Sequence, residues 1–162
     1  MILYHGSNVE VLTPDLAYSK PFKDFGRGFY LSADLQQAQR LAEQRTQMLK
    51  KGFATVTSFL FDENLLVGDE LKVKSFTGYS EEWAEFVSKN RSVELKHPVH
   101  DYDIVYGPIA DDGVTFQLRR YQAGSITIKE LIEELKYNQG VTFQYFFGTE
   151  LALSKLQVYE IN

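Results

Sequence analysis

The stretch FGRGFYLSADLQQAQRLA, residues 25–42, changes its period midway. Up to Ser32 it is aromatic and apolar and broken by Gly26 and Gly28, so Phe25–Ser32 is expected to be a strand leaving a turn. From Asp34 on, apolar residues fall at Leu35, Ala38, Leu41, Ala42, Met48 and Leu49. That is the spacing of one helix face, and it predicts a helix over Asp34–Lys51. Ser32 or Asp34 can cap its start, and Lys50, Lys51 and Gly52 suit its end. A chain that passes so directly from strand to helix belongs to a mixed class.

The remaining segments agree. Ile2-Leu3-Tyr4-His5 reads as a short strand stopped by Gly6 and Ser7, and residues 8–24, with Pro14 and Pro21, read as a loop. ATVTSFLF, Ala54–Phe61, is rich in β-branched and aromatic residues and predicts a strand. Helices are expected over Glu81–Lys89, Val114–Gln122 and residues 128–136, the last opened by the capping box Thr127…Glu130. Strands are expected at Asp103–Tyr106, Thr142–Phe147 and Gln157–Ile161, with a short helix at Glu150–Lys155. Strands and helices alternate without a strict βαβ rhythm, which makes the class α+β. No repeat, low-complexity tract or linker divides the 162 residues, so one domain, 1–162, is expected.

Composition removes several functions. The 17 Lys+Arg stand against 22 Asp+Glu, a net charge of −5, and this chain lacks the broad basic field of a general nucleic-acid binder. Cysteine is absent, so there is no disulfide framework, thiol nucleophile or thiolate metal site. No signal-peptide pattern and no membrane-length apolar run is present, and a soluble cytoplasmic protein is expected. Gly26-Arg27-Gly28 lacks the third glycine of a dinucleotide fingerprint. His97 and His100 form an H-x-x-H beside Asp101 but lack a third ligand, so no metal is expected.

LYHGS, followed by FGRGFYLSAD, resembles the first two signature segments of the ADP-ribosyltransferase superfamily, in its diphtheria-toxin and poly(ADP-ribose) polymerase branch. There a His precedes Gly on the first strand, a Tyr ends a G-[KR]-G-hydrophobic-Y run, and a Glu opens a late strand. His5, Tyr30 and Gln144 stand at the matching places. EEWAEFVSKNR, DYDIVYGPIADD and FGTELALSKL are similar to a small bacterial family of such enzymes, and the two likenesses together span most of the chain. The resemblance implies a split β core of two small sheets, with flanking helices, around an NAD cleft. It implies a mono-ADP-ribosyltransferase with His5, Tyr30 and Gln144 as catalytic residues. The residues it implies for NAD are His5 (on a ribose hydroxyl), Gly6 (whose backbone grips the carboxamide), Ser7, Arg27, Gly28, Tyr30 (stacked on nicotinamide), Ser32 and Leu41. Partners implied are NAD, a protein or nucleic-acid acceptor and, by analogy with toxin–antitoxin pairs, a small antitoxin.

Two departures matter. Leu41 stands where many relatives place a second aromatic, and Gln144 stands where a Glu is expected. A carboxylate ~4 Å from a developing oxocarbenium contributes roughly 4 kcal/mol at an effective dielectric of 20, on the order of a thousandfold in rate. Either another acid takes the role, with Glu150, Asp103, Asp111 and Asp112 as candidates, or the acceptor brings the charge, or the protein binds without turnover. The alternatives to a transferase are therefore a weakly catalytic NAD- or partner-binding module and an NAD glycohydrolase.

Overall fold

The structure, a computed structural model, describes residues 1–94 and 96–160. Among these residues seven strands form two sheets. In the first, β1 (Ile2–Ser7), β3 (Thr55–Leu60) and β7 (Gln157–Val158) lie in the order β1-β3-β7. In the second, β2 (Phe29–Leu31), β6 (Phe143–Phe147), β5 (Ile104–Pro108) and β4 (Val73–Ser75) lie in the order β2-β6-β5-β4. All pairs are antiparallel except β4–β5. An isolated bridge joins the sheets, with Tyr4 N–H donating to Ser32 O at 2.8 Å and Ser32 N–H donating to Tyr4 O at 2.9 Å.

Period-two alternation sorts the second sheet's side chains. Leu31, Ile104, Tyr145 and Phe147 face the first sheet and pack on Leu3, Phe59 and Phe61. Val105 and Phe146 face the other way, into a core with Trp83, Val87, Leu118 and Leu131. Those four come from helices α2 (Glu81–Asn90), α3 (Asp112–Gln122) and α4 (Ile128–Leu135). Helix α1 (Leu35–Leu49) lies against β1 and β3, and α5 (Glu150–Leu153) is a single turn before β7. The class is α+β, built on two sheets, as the mixed periods indicated.

Local chemistry sets most of the helix ends. The carboxylate of Asp34 accepts from Gln36 and Gln37 N–H to start α1, and left-handed Lys50 (φ 51) ends it. Thr127 and Glu130 form the expected capping box of α4. Asp111 caps α3, which starts at Asp112, two residues before the expected Val114, and Phe116, which blurred that helix's period, points outward at 60% exposure. Four expectations change. Strand β1 does not stop at His5 but runs through Gly6 and Ser7, which stay paired with Val56 and Thr55 of β3. Strand β2 holds only Phe29–Leu31, because Gly26 takes φ 98 and the Tyr30 hydroxyl ties the chain back onto residues 25 and 26. The Glu150–Lys155 helix is one turn, and the last strand reaches only Val158, with Ile161 outside the described residues. Strand β4 lies in a stretch that carries no sequence signal. Among the described residues no helix is long and apolar enough to cross a membrane.

Candidate active site

A cavity of about 420 Å³ opens where the two sheets meet. His5 and Gly6 of β1, Tyr30 of β2, Ser32, Leu41 of α1 and Gln144 of β6 all line it. The ladder explains the meeting. Tyr30 pairs with Phe146, and Gln144 lies two residues along β6 on the same face. The Tyr4–Ser32 bridge then holds β1 against that edge.

The carbonyl of Tyr30 lies 2.8 Å from His5 Nδ1. A carbonyl only accepts, so Nδ1 carries the proton and Nε2 presents a lone pair. The ring stacks on Phe29 with centroids 4.2 Å apart. Burial lowers its pKa to about 4, the Tyr30 carbonyl pulling weakly the other way. At neutral pH His5 is therefore an uncharged acceptor facing the cavity.

The need for glycine at position 6 comes from packing. A Cβ there would sit 2.0 Å from Ala38 O of α1. Its backbone is also exposed in a particular direction. Met1 exchanges hydrogen bonds with Phe61 across β1–β3, so odd residues of β1 bond β3 and even ones point to the opposite edge. Tyr4 uses that edge to bond Ser32, whereas no strand among the described residues covers Gly6 there. An N–H and a C=O thus stand side by side, open to a ligand.

Tyr30 is more deeply built in than a stacking platform requires. Its hydroxyl accepts from Phe25 N–H at 3.0 Å and donates to Gly26 O at 2.8 Å. Burial raises its pKa well above the usual value, so it remains the donor. The Lys23 ammonium stands 5.2 Å from the ring centroid, a cation held over the aromatic face.

Ser32 is committed locally, accepting from Asp34 N–H at 2.9 Å and donating to Gln37 Oε1 at 2.7 Å. Three other expected residues lie elsewhere. Ser7 and Gly28 line a neighbouring cavity of about 530 Å³, which shares His5, Lys23, Tyr30 and Arg45 with the first. Gly28 is glycine because a Cβ would meet the Phe146 ring at 2.2 Å. Arg27 is exposed and faces a separate cavity with His97 and His100. None of the four acids weighed for the third role lines the cavity of His5 and Tyr30. Asp103 accepts from Lys72 N–H and Thr149 Oγ, Asp111 caps α3, Asp112 opens that helix, and Glu150 opens α5.

Four charged residues that sequence reasoning passed over do line it, Lys23, Asp24, Arg45 and Arg91. Arg45 follows Leu41 by one helical turn, so Leu41's place in the motif was a usable signal. Its Nε is buried without a hydrogen-bond partner among the described residues. Asp24 and Arg91 gave no such signal, since they meet only through the fold. Asp24 Oδ1 lies 3.2 Å from Arg91 Nε, and Oδ2 accepts from Ala110 N–H at 2.8 Å. Burial raises the Asp24 pKa, while Ala110 N–H and Arg91 draw it down. No group of three metal-ligating side chains occurs among the described residues. His100 uses both ring nitrogens internally, one with Phe25 O at 2.7 Å and one with Tyr102 N–H at 3.1 Å.

The model of a family described as "Protein of unknown function (DUF3990)" matches residues 1–158. The chain belongs to DUF3990. No curated protein matches it significantly. What this DUF3990 chain offers a ligand is a neutral acceptor, an open peptide edge, an aromatic face, a buried amide at Gln144 and cations where two cavities join.

Proposed function

We propose that this chain is an NAD-dependent mono-ADP-ribosyltransferase with the split β core of that superfamily, acting in the cytoplasm. The observation that carries the reading is the shared cavity of His5, Gly6, Tyr30 and Gln144, which come from three segments distant in sequence. Each offers what the corresponding part of NAD needs. The free N–H and C=O of Gly6 complement the acceptor and donor of a carboxamide. The Tyr30 face, now topped by the Lys23 ammonium, suits a cationic nicotinamide ring equally well. His5 Nε2 accepts from a ribose hydroxyl. The unpartnered Nε of Arg45 and the Lys23 ammonium stand where the cavities join and suit a diphosphate. Each cavity is of small-molecule size, and an extended dinucleotide fits the pair better than either alone.

In the reaction the bond from ribose C1′ to the nicotinamide nitrogen breaks, and its electron pair leaves with neutral nicotinamide. An acceptor oxygen or nitrogen attacks C1′ and gives up its proton to solvent water. Enforced orientation of ring and ribose supplies much of the acceleration. The acceptor is a protein or a nucleic acid, and a small antitoxin is the natural regulator if the chain is a toxin. A second reading, an NAD-binding module with little turnover, is favoured by one observation, the uncharged Gln144. Incubation with labelled NAD and whole lysate separates the readings. Label on a macromolecule supports the transferase, free ADP-ribose supports a glycohydrolase, and binding without release of nicotinamide supports the module. Absence of NAD binding by calorimetry overturns all three.

A further inference from the structure

Gln144 leaves the cavity without the carboxylate that a developing oxocarbenium calls for, yet the cavity does contain one. Among the described residues Asp24 is the one acidic side chain that shares it with His5, Tyr30 and Gln144. It lies outside every motif, in the loop before Gly26. Its side chain is 12% exposed, paired to Arg91 and bonded to Ala110 N–H. Ala110 follows β5 just past the point where Gly107 pairs Gln144 and Ile109 N–H bonds Thr142 O, so Asp24 is anchored at the Gln144 end of the sheet.

The segment that carries Asp24 is fixed on both sides of the next peptide. Phe25 N–H donates to the Tyr30 hydroxyl, and Phe25 O meets His100 Nε2. Phe25 itself is fully buried. A surface loop does not need such anchoring, and a buried ion pair adds little stability over an apolar pair of the same shape. A carboxylate that must keep its position while charge develops beside it does need it, because preorganised groups pay no reorganisation during the reaction.

Resting on the transferase reading, we propose that Asp24, from the loop before the Gly-Arg-Gly turn, is the catalytic carboxylate that stabilises the oxocarbenium, the role the superfamily gives to a late-strand acid. Arg91 and Ala110 are its positioning groups. Gln144 contributes a hydrogen bond to the ribose and no charge. The bond changes are those given above, and Asp24 takes up no proton and forms no covalent bond.

The test is nicotinamide release from NAD, with and without lysate, beside calorimetric NAD affinity, for wild type, Asp24→Asn and Asp24→Asn/Gln144→Glu. Asn keeps an acceptor for Ala110 N–H and removes the charge. Asp24→Asn is expected to lower release about a hundredfold or more with affinity within about threefold, and Gln144→Glu in that background is expected to restore at least tenfold by returning a carboxylate to the cavity. If Asp24→Asn does not fold, as thermal melting reports, Asp24→Asn/Arg91→Met removes both charges, leaves no unpaired buried cation, and carries the same expectation. Release by Asp24→Asn within about threefold of wild type overturns the assignment. So does a loss that parallels affinity, or one that Gln144→Glu leaves uncorrected, since either makes Asp24 a loop anchor. Wild type that neither binds NAD nor releases nicotinamide overturns the transferase reading itself, and the assignment with it, a result distinct from an active wild type with an equally active Asp24→Asn.

Discussion

His5 and His100 hold the two ends of one loop, and the difference between them separates a ligand site from a structural one. Each directs a ring nitrogen at a backbone carbonyl, His5 at Tyr30 and His100 at Phe25. Each has its pKa lowered chiefly by burial. Around His100 the second nitrogen accepts from Tyr102 N–H, and aromatic rings close in from Phe86, Tyr102 and Phe146. Around His5 the second nitrogen has no hydrogen-bond partner among the described residues and the cavity begins. One imidazole is saturated by the fold, and the other is left with one acceptor to offer.

Alanine substitution is the most direct way to break the comparison. His5→Ala is expected to lower nicotinamide release by about a hundredfold or more, the scale for removing one preorganised hydrogen-bonding group, with a smaller loss of stability. His100→Ala is expected to do the reverse, destabilising by roughly 2–4 kcal/mol through a cavity and two orphaned backbone groups while the folded fraction keeps its turnover. Nicotinamide release and urea denaturation on both variants check this. Equal effects on both measurements would erase the distinction.

Acid sharpens it. The pKa of His5 is 6.5 unfolded and about 4 folded. Above pH 6.5 both states hold a neutral ring. As pH falls from 6.5 to 4 the unfolded chain takes up a proton that the folded chain refuses, so stability declines over that window and levels off below it. The difference corresponds to about 3 kcal/mol. His100 acts in the same direction. The urea midpoint of His5→Gln should therefore fall less between pH 7 and pH 5 than that of wild type, with a residual slope from His100. An unchanged slope would mean that His5 is solvated.

Tyr30 connects the two regions. The resemblance implies a role for its ring face, and the fold adds one for its hydroxyl, which satisfies Phe25 N–H and Gly26 O, next to the carbonyl held by His100. Tyr30→Phe is expected to cost about 2 kcal/mol of stability from these buried groups while retaining the face for NAD, and Tyr30→Ala to lose both. Thermal melts and calorimetric titrations of the two variants separate the contributions.

What could be read from the sequence follows how local each cause is. Helices α1, α2 and α4 were legible because an apolar period and a cap lie within one segment. Strand β4 was not, since three residues gain their identity only by pairing with β5. The four residues that the resemblance grouped, His5, Tyr30, Leu41 and Gln144, line one cavity. Ser7 and Gly28 line the adjoining cavity and Arg27 a separate one, because neighbours in sequence alternate faces or round a turn. The motif could not show Asp24 against Arg91, two residues joined by packing and by no pattern. Glycine was a weak guide to ligand contact, since Gly6 and Gly28 are each required by a close protein neighbour.

Gln144 carries the smallest expected effect and the finest distinction. It is buried on β6 opposite Gly107, and no hydrogen bond to its amide occurs among the described residues. Its amide opens into the cavity, as the second nitrogen of His5 does, and is free to meet a ligand there. If it bonds the ribose, Gln144→Ala removes one neutral hydrogen bond, worth about 1 kcal/mol, or roughly fivefold in nicotinamide release. Stability should change little, because the lost group bonds nothing in the free protein. Gln144→Leu, of similar volume, should lower release to the same extent and leave the melting temperature equal or higher. Release unchanged in both variants would make Gln144 a wall of the cavity and leave recognition of the ribose to His5.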